Sequence, residues 1–282
     1  MQKKNYHTAA LVVLYTALAL IAVIALFPML YILMASFRTD KEIFAYNLPF
    51  GFHTIFPKVW TLASYHDIFA EYGFGVPLRN SFLVVLVCLP VNLLVASVAG
   101  YAFAFFNFKG KKLLFAIFIV SFMVPADSVA LPLYTLVNKM GLVNTFTGLI
   151  LPGVSSGLAM FLFTQFFRGI PRSFIEAGTV DGANWGQIFT RIIMPLSVPV
   201  FITAGLMVFV NSWNDYLWPL LCGRNEEVRT IQVALGYFKD ENETYWSYIY
   251  AASSISALVP ILIFLPFQKY FVEGVTSSGI KG

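Results

Sequence analysis

Charge is scarce in this sequence. Asp, Glu, Lys and Arg together supply 11% of its 282 residues, against about 25% in soluble domains. Cysteine is scarcer still. Cys88 and Cys222 share no CxxC spacing, which excludes a disulfide framework and a thiolate zinc site and leaves two apolar-like thiols. His53 and His66 lack the spacing of metal ligands. There is no G-x-x-x-x-G-K-[ST], so nothing in this chain is expected to cradle a nucleotide's phosphates. No stretch alternates with period two as a membrane-barrel strand does. Gly153–Gly157 spells G-x-S-x-G. A nucleophile elbow needs a strand–turn–helix context and a nearby base, and neither is present. We read those glycines as a small-xxx-small helix-packing face. No catalytic triad, paired carboxylate or metal cluster is left, so no enzyme activity and no resident cofactor are expected.

What the sequence has is apolar length. Hydrophobic residues make up 59% and mean hydropathy is +0.76. Six windows stand out: Ala9–Phe37, Ser81–Asn107, Leu113–Val137, Thr145–Phe167, Leu196–Cys222 and Tyr245–Phe267. The shortest is 23 residues, enough to cross a core of about 30 Å at about 1.5 Å per residue. Backbone polar groups need partners inside lipid, so the expected fold is all-α, with six membrane-spanning helices. The first window, at 29 residues, exceeds the apolar part of a signal peptide and reads as a retained span.

Lys and Arg set the expected orientation. With the N-terminus inside, the cytoplasmic segments hold Lys3, Lys4, Lys109, Lys111, Lys112, Arg168, Arg172, Arg191, Lys269 and Lys281. Only Glu176, Asp181 and Glu273 oppose them, whereas the outer segments hold eight basic against nine acidic residues. Both termini are therefore expected in the cytoplasm. The net charge of +4 is a topology signal, and no nucleic-acid partner follows from it.

Between the fourth and fifth windows lies PRSFIEAGTVDGANWGQIFTRIIMP, Pro171–Pro195, expected on the cytoplasmic side. It reads as helix, glycine turn, helix. The first helix starts either with Pro171 at its first position or with Ser173 as cap in a box with Glu176. Asp181-Gly182 is a turn signal. Asn184 caps the second helix with Gln187 at its third position, Trp185, Ile188, Phe189 and Ile192 form an apolar stripe, and Pro195 ends it. Periodicity alone leaves two readings, a solvated interfacial loop or a docking element for a partner.

The spacing of that loop carries more. Glu176-Ala177-Gly178, three residues, Gly182, nine residues, Ile192, one residue, Met194-Pro195 resembles the EAA loop of ABC importer permeases. Gly178 stands for the loop's second Ala and Met194 for its Leu, both conservative in character. The likeness extends to the number of spans, the outer segments and the tail, and is similar to the maltose and glycerol-phosphate groups. It implies a type I ABC importer fold in which Glu176, Ala177, Gly178, Asp181, Gly182, Trp185, Phe189, Ile192 and Pro195 couple to an ATPase subunit. It further implies a second permease subunit (a heterodimer), two ATPases that bind ATP and Mg, an extracytoplasmic solute-binding protein, a carbohydrate-type solute, and a bacterial or archaeal cytoplasmic membrane.

Polar residues within the spans are the expected pathway. Asn92 and Pro90 fall in the second window and Asp127 and Pro125 in the third. Asp127, 14 residues from the inner end, lies about 21 Å deep if the helix is continuous. It either lines the path or makes a packing hydrogen bond. Asn211, Asn214 and Asp215 lie toward the outer end of the fifth window, in NSWNDYLWPLL. That stretch ends a helix in an aromatic belt or, by the same resemblance, forms an outer gate. An ion-coupled secondary transporter using Asp127 or Asp215 is the alternative.

In domain terms, 1–75 is expected to hold the first span and an outer segment, 76–270 the permease core with loop 171–195, and 271–282 a cytoplasmic tail. The tail's resemblance to maltose-type permeases implies contact with the ATPases. Within the outer segment Arg38–Asn80, the run FPKVWTLASYHDIF reads as an amphipathic piece lying at the interface. The polar loop Gly223–Thr244 is expected to dock the binding protein. Its Asn242-Glu-Thr244 sequon is a chance match.

Overall fold

The computed structural model describes residues 2–239 and 244–279, with side chains over 11–239 and 244–270. Asp240, Glu241, Asn242 and Glu243 of the acidic loop lie outside the described residues, as do residues 280–282 and the side chains of the rest of the tail. Apart from an isolated bridge between Lys239 and Thr244, the regular structure among the described residues is helical. Contacts divide the chain into two units.

The first unit is Met1–Phe74 with Leu235–Leu258. It opens with α1 (Gln2–Ala35), whose described apolar side chains stand exposed over most of its length, as on a helix set in lipid. Beyond it come α2 (Asp40–Ala45), capped by the Thr39 side chain, then α3 (Phe52–Ile55) and α4 (Ala63–Ala70). Arg38 organises this region. Buried to 1% exposure, its guanidinium donates to the carbonyls of Thr54 (2.9 Å) and Phe56 (3.2 Å) and lies 3.7 Å from the Glu42 carboxylate. Asp40 accepts from the backbone N–H and the hydroxyl of Ser247, and the rings of Tyr72, Phe74, Phe238 and Tyr248 pack together.

The second unit is Gly75–Ala234 with Val259–Gly282. Its axis is α5 (Gly75–Phe105), a single helix that continues through Pro90. Next come α6 (Lys111–Met123), α7 (Ala126–Lys139), α8 (Phe146–Ile150) and α9 (Gly157–Arg168). The loop helices are α10 (Ser173–Val180), α11 (Trp185–Ile188) and α12 (Met194–Leu196). Then follow α13 (Val198–Asn214), α14 (Leu217–Cys222) and α15 (Ile231–Leu235); α16 (Trp246–Gly279) belongs to the first unit up to Leu258 and to the second from Val259, and runs on through most of the expected tail. The core forms where α5 packs against α9 and α13, around Phe103, Phe163, Phe167, Ile193 and Ala204.

Among the described residues four stretches are long and apolar enough to cross a membrane: Leu11–Ala35, Gly75–Phe105, Phe146–Arg168 (which includes the 3-10 turn between α8 and α9) and Trp246–Tyr270. Counting each bent pair as one span raises the number to six. The expected third span is one of those pairs. It is not a continuous helix, because α6 and α7 meet at 97°. At the break Val124 sits extended at φ −70°, ψ 124°, the conformation favoured in a residue that precedes a proline. The depth calculated for Asp127 therefore does not hold. Asp127 lies in the first turn of α7, exposed in this chain, where a carboxylate is favoured by the helix's positive end. The fifth window is also interrupted, at Asp215 and Tyr216 between α13 and α14.

Gly153 and Gly157 do not share a helix face as expected. Gly153 belongs to a 3-10 turn, Leu151–Val154, and backs onto Cys88, whereas Gly157 opens α9 and backs onto Phe122. Both are close-packing positions, but toward different helices.

Candidate functional site

The loop between α9 and α13 is a hairpin of two helices closed on each other. Its turn needs a residue with positive φ, and Gly182 supplies it at +77° with open space around the Cβ position. Asn184 and Gln187 form the expected capping box, each side chain accepting the other's backbone N–H at 2.9 Å. The first helix begins differently. Arg172 occupies its cap without a side-chain hydrogen bond and Ser173 is already helical, so neither expected start is observed.

The second helix also departs from the expected simple form. It does not end at Pro195 but runs on to Leu196, and it turns by 81° into α13. Between α11 and α12 the residues Phe189–Ile193 form a π turn, closed by the N–H of Met194 on the carbonyl of Phe189. A π turn holds one more residue than an α turn. The buried face therefore passes from Ile188 and Phe189 to Ile193, while Ile192 is only half-buried. A stripe counted with period 3.6 misplaces its last member by one residue.

Exposure separates the loop's residues into two groups. Glu176, Ala177, Asp181, Gly182, Trp185 and Pro195 are exposed, whereas Gly178 and Phe189 are buried. Gly178 lies against the second helix of its own hairpin: a Cβ there would come 2.8 Å from Cδ1 of Ile192 and 3.3 Å from Cγ1 of Ile188. Its small size lets the two helices close. The exposed group has apolar company that sequence reasoning passed over. Val180 is 87% exposed and Phe174 45%, beside Trp185 at 49%. Apolar residues left uncovered on a short amphipathic helix were the available signal.

The base of the hairpin rests on α5 through Tyr101, which sequence reasoning also missed. Its ring lies 5.0 Å from Phe189, 5.3 Å from Phe105, 5.5 Å from Phe106 and 6.4 Å from Trp185. Its hydroxyl donates to the Trp185 carbonyl at 3.3 Å. Trp185 in turn stands edge-on to Phe106 at 4.7 Å. Aromatic pairs of this kind contribute about 0.5–1.5 kcal/mol each beyond their buried area. The loop is thus fixed to the core helix at its base and bare at its tip. A Tyr among the Phe residues ending an apolar span was the only trace in the sequence.

The expected pathway residues make separate hydrogen bonds. Asn92 is buried and donates to the carbonyl of Gly153 at 2.9 Å, a contact that joins α5 to the turn before α9. Asn211 and Asn214 are exposed, and Asn214 accepts from Gln232 at 3.4 Å. Asp215 is half-buried and accepts from the Trp218 N–H at 3.4 Å, capping α14. The described part of loop 223–244 is held rather than free. Asn80 donates to the carbonyls of Glu227 and Arg229, and the N–H of Ile231 donates to Ser81.

Comparison with known proteins gives the class. Residues 78–277 match the family described as binding-protein-dependent transport system inner membrane component. The chain is 35% identical over 266 residues to the arabinooligosaccharides transport system permease protein AraQ of Halalkalibacterium halodurans, covering 94% of each. It is 28% identical to the lactose transport system permease protein LacG of Rhizobium radiobacter, covering 95% of each. Among solved structures it superimposes with a TM-score of 0.80, at 23% identity, on a chain of a bacterial ABC transporter involved in the import of the acidic polysaccharide alginate. That match covers 92% of this chain and 95% of the other.

The protein is therefore a multi-pass permease of the binding-protein-dependent ABC importers. It has the all-helical type I importer fold, and as a member of that family it works with a further permease, ATPase and solute-binding protein.

Proposed function

We propose that this permease carries an oligosaccharide, sugar or related polyol across a bacterial or archaeal cytoplasmic membrane as one half of a heterodimer. The names of its relatives support the solute class, since those at 35% and 28% identity transport arabinooligosaccharides and lactose. Hydrolysis of ATP with Mg takes place on two partner ATPases, and this chain performs no chemistry of its own. Both termini and the hairpin 173–196 face the cytoplasm, in keeping with the lysine and arginine distribution.

The observation that carries the reading is the split character of the hairpin. Its outward side exposes Phe174 and Val180 together with Glu176, Asp181 and Gly182. Its base is locked onto α5 by Tyr101. In this reading the tip sits in a cleft of an ATPase subunit, and movement of that subunit rotates the hairpin and, through Tyr101, the core helix. Nucleotide shifts the inward–outward equilibrium only to the extent that the ATPase grips the two states differently. Solute arrives from the binding protein at the opposite face, where Asn211, Asn214 and Asp215 line the entrance and Asp127 lies along the path.

The test is reconstitution of the permease pair with its ATPases in proteoliposomes. Uptake should require ATP and binding protein and be indifferent to collapse of ion gradients. Glu176→Lys combined with Gly182→Val should release the ATPases and abolish uptake. Uptake driven by an ion gradient without ATP would favour the carrier reading based on Asp127 or Asp215.

A further inference from the structure

The first unit leaves apolar side chains exposed beyond α1. Between α2 and α4 the chain exposes Phe44, Leu48, Phe50, Phe52, Trp60 and Leu62, with Leu48 at 83% and Phe50 at 70%. Single exposed apolar residues are ordinary, but so many within nineteen positions of one segment mark a surface that meets something other than water. Lys41 precedes them and Lys58 lies among them, both exposed.

Four contacts fix the height of this segment. The N–H of Thr61 donates to the carbonyl of Phe37 at 3.0 Å, and the Trp60 ring packs on Phe37 at 5.3 Å. The buried guanidinium of Arg38 holds the carbonyls of Thr54 and Phe56. Residues 54–61 are thereby tied to positions 37 and 38, two and three residues past the end of α1 at Ala35. The apolar stretch Leu11–Ala35 has 25 residues, or about 37 Å at about 1.5 Å per residue, against a hydrocarbon core of about 30 Å. The end of α1 therefore reaches the headgroups, and the aromatic segment is pinned beside it.

We propose that residues 44–62 form an interfacial anchor. Phe44, Leu48, Phe50, Phe52, Trp60 and Leu62 enter the boundary between headgroups and acyl chains of the leaflet in which α1 ends, with Lys41 and Lys58 at phosphate level. Aromatic and aliphatic residues flanked by lysine are the composition that lies in that boundary. The occupant is lipid because the segment is tied to the end of α1, whose apolar side chains are exposed over residues 11–30. Arg38 keeps the segment at one depth, which fixes the first unit relative to the bilayer plane. The inference goes beyond the transport reading and does not depend on it.

The experiment uses the full chain assembled with its partner subunits in nanodiscs of phosphatidylethanolamine and phosphatidylglycerol. Nitroxide labels are placed by Leu48→Cys, Phe50→Cys and Lys58→Cys, because the native Cys88 and Cys222 are buried and escape labelling. Power saturation with oxygen and with a water-soluble nickel chelate reads depth at each site. At positions 48 and 50 oxygen collisions should exceed those of nickel several-fold, and at position 58 the two should approach parity. Nickel dominance at 48 and 50 would place the segment in water and overturn the proposal. Low collision with both reagents at those positions would reveal a protein cover, the second permease or the binding protein, and would overturn it equally. ATP-driven uptake, measured on the same samples, reports on the transport reading separately.

Discussion

Replacing Gly178 by alanine and by leucine should give opposite outcomes, and the hairpin's packing supplies the magnitudes. The alanine methyl would meet Cδ1 of Ile192 at 2.8 Å and Cγ1 of Ile188 at 3.3 Å. The nearer atom is the tip of a flexible side chain, so Ile192 gives way at a rotamer cost of about 0.5–1.5 kcal/mol. Alanine also recovers about 0.8–1.0 kcal/mol of helix propensity lost to glycine. The two effects offset, and Gly178→Ala should behave like the wild type. Leucine adds three further carbons to the same gap. Overpacking of that kind costs about 1–3 kcal/mol, which lowers the equilibrium constant for closing the hairpin by about 5–150-fold. The assay has two parts: the ATPase retained on the permease through gel filtration, and the ATP turnover stimulated by the binding protein. Gly178→Leu should lose both, and a second change, Ile192→Ala, should restore them by vacating the space. If Gly178→Leu retains its ATPase, or if Ile192→Ala fails to restore it, closure of the two helices on each other is not what docking requires.

Other expectations follow from the same contacts. Gly182→Ala meets no atom but is forced into left-handed backbone, at about 1–2 kcal/mol, so ATPase affinity should fall by roughly tenfold and Gly182→Asn should recover part of it. At the base, Tyr101→Phe removes only a 3.3 Å hydrogen bond, worth about 1 kcal/mol, and should leave coupling near normal. Tyr101→Ala empties the ring cluster at about 3–5 kcal/mol and should uncouple ATP turnover from uptake, with Tyr101→Phe as the control that separates ring from hydroxyl. Arg38→Met breaks a buried, hydrogen-bonded charge, at about 3 kcal/mol or more. It should lower the melting temperature of the detergent-solubilised protein, and Arg38→Lys should rescue little, because an ammonium cannot span two carbonyls as the guanidinium fork does.

Much of this protein was decided by its sequence alone, for reasons that act over short distances. Long apolar runs with few charges must become helices in lipid, because no other backbone satisfies its own polar groups there. The turn at Gly182 and the box between Asn184 and Gln187 depend on neighbours one to three residues away, and both stand as expected. The spacing from Glu176 to Pro195 carried the family. Tertiary packing decided the rest. Pro125 broke the third span and brought Asp127 to the head of a new helix, although Pro90 left α5 unbroken. Inside a helix a proline removes one hydrogen bond, and the surrounding helices determine whether the chain bends. The π turn at Phe189–Ile193 moved the buried face from Ile192 to Ile193, a one-residue insertion that no fixed period anticipates. Gly178 and Tyr101 acquire their meaning only when residues 14 and 84 positions away come to lie against them. Local chemistry specified the helices and the turn, and packing between distant segments chose which surfaces close on each other and which remain open to a partner.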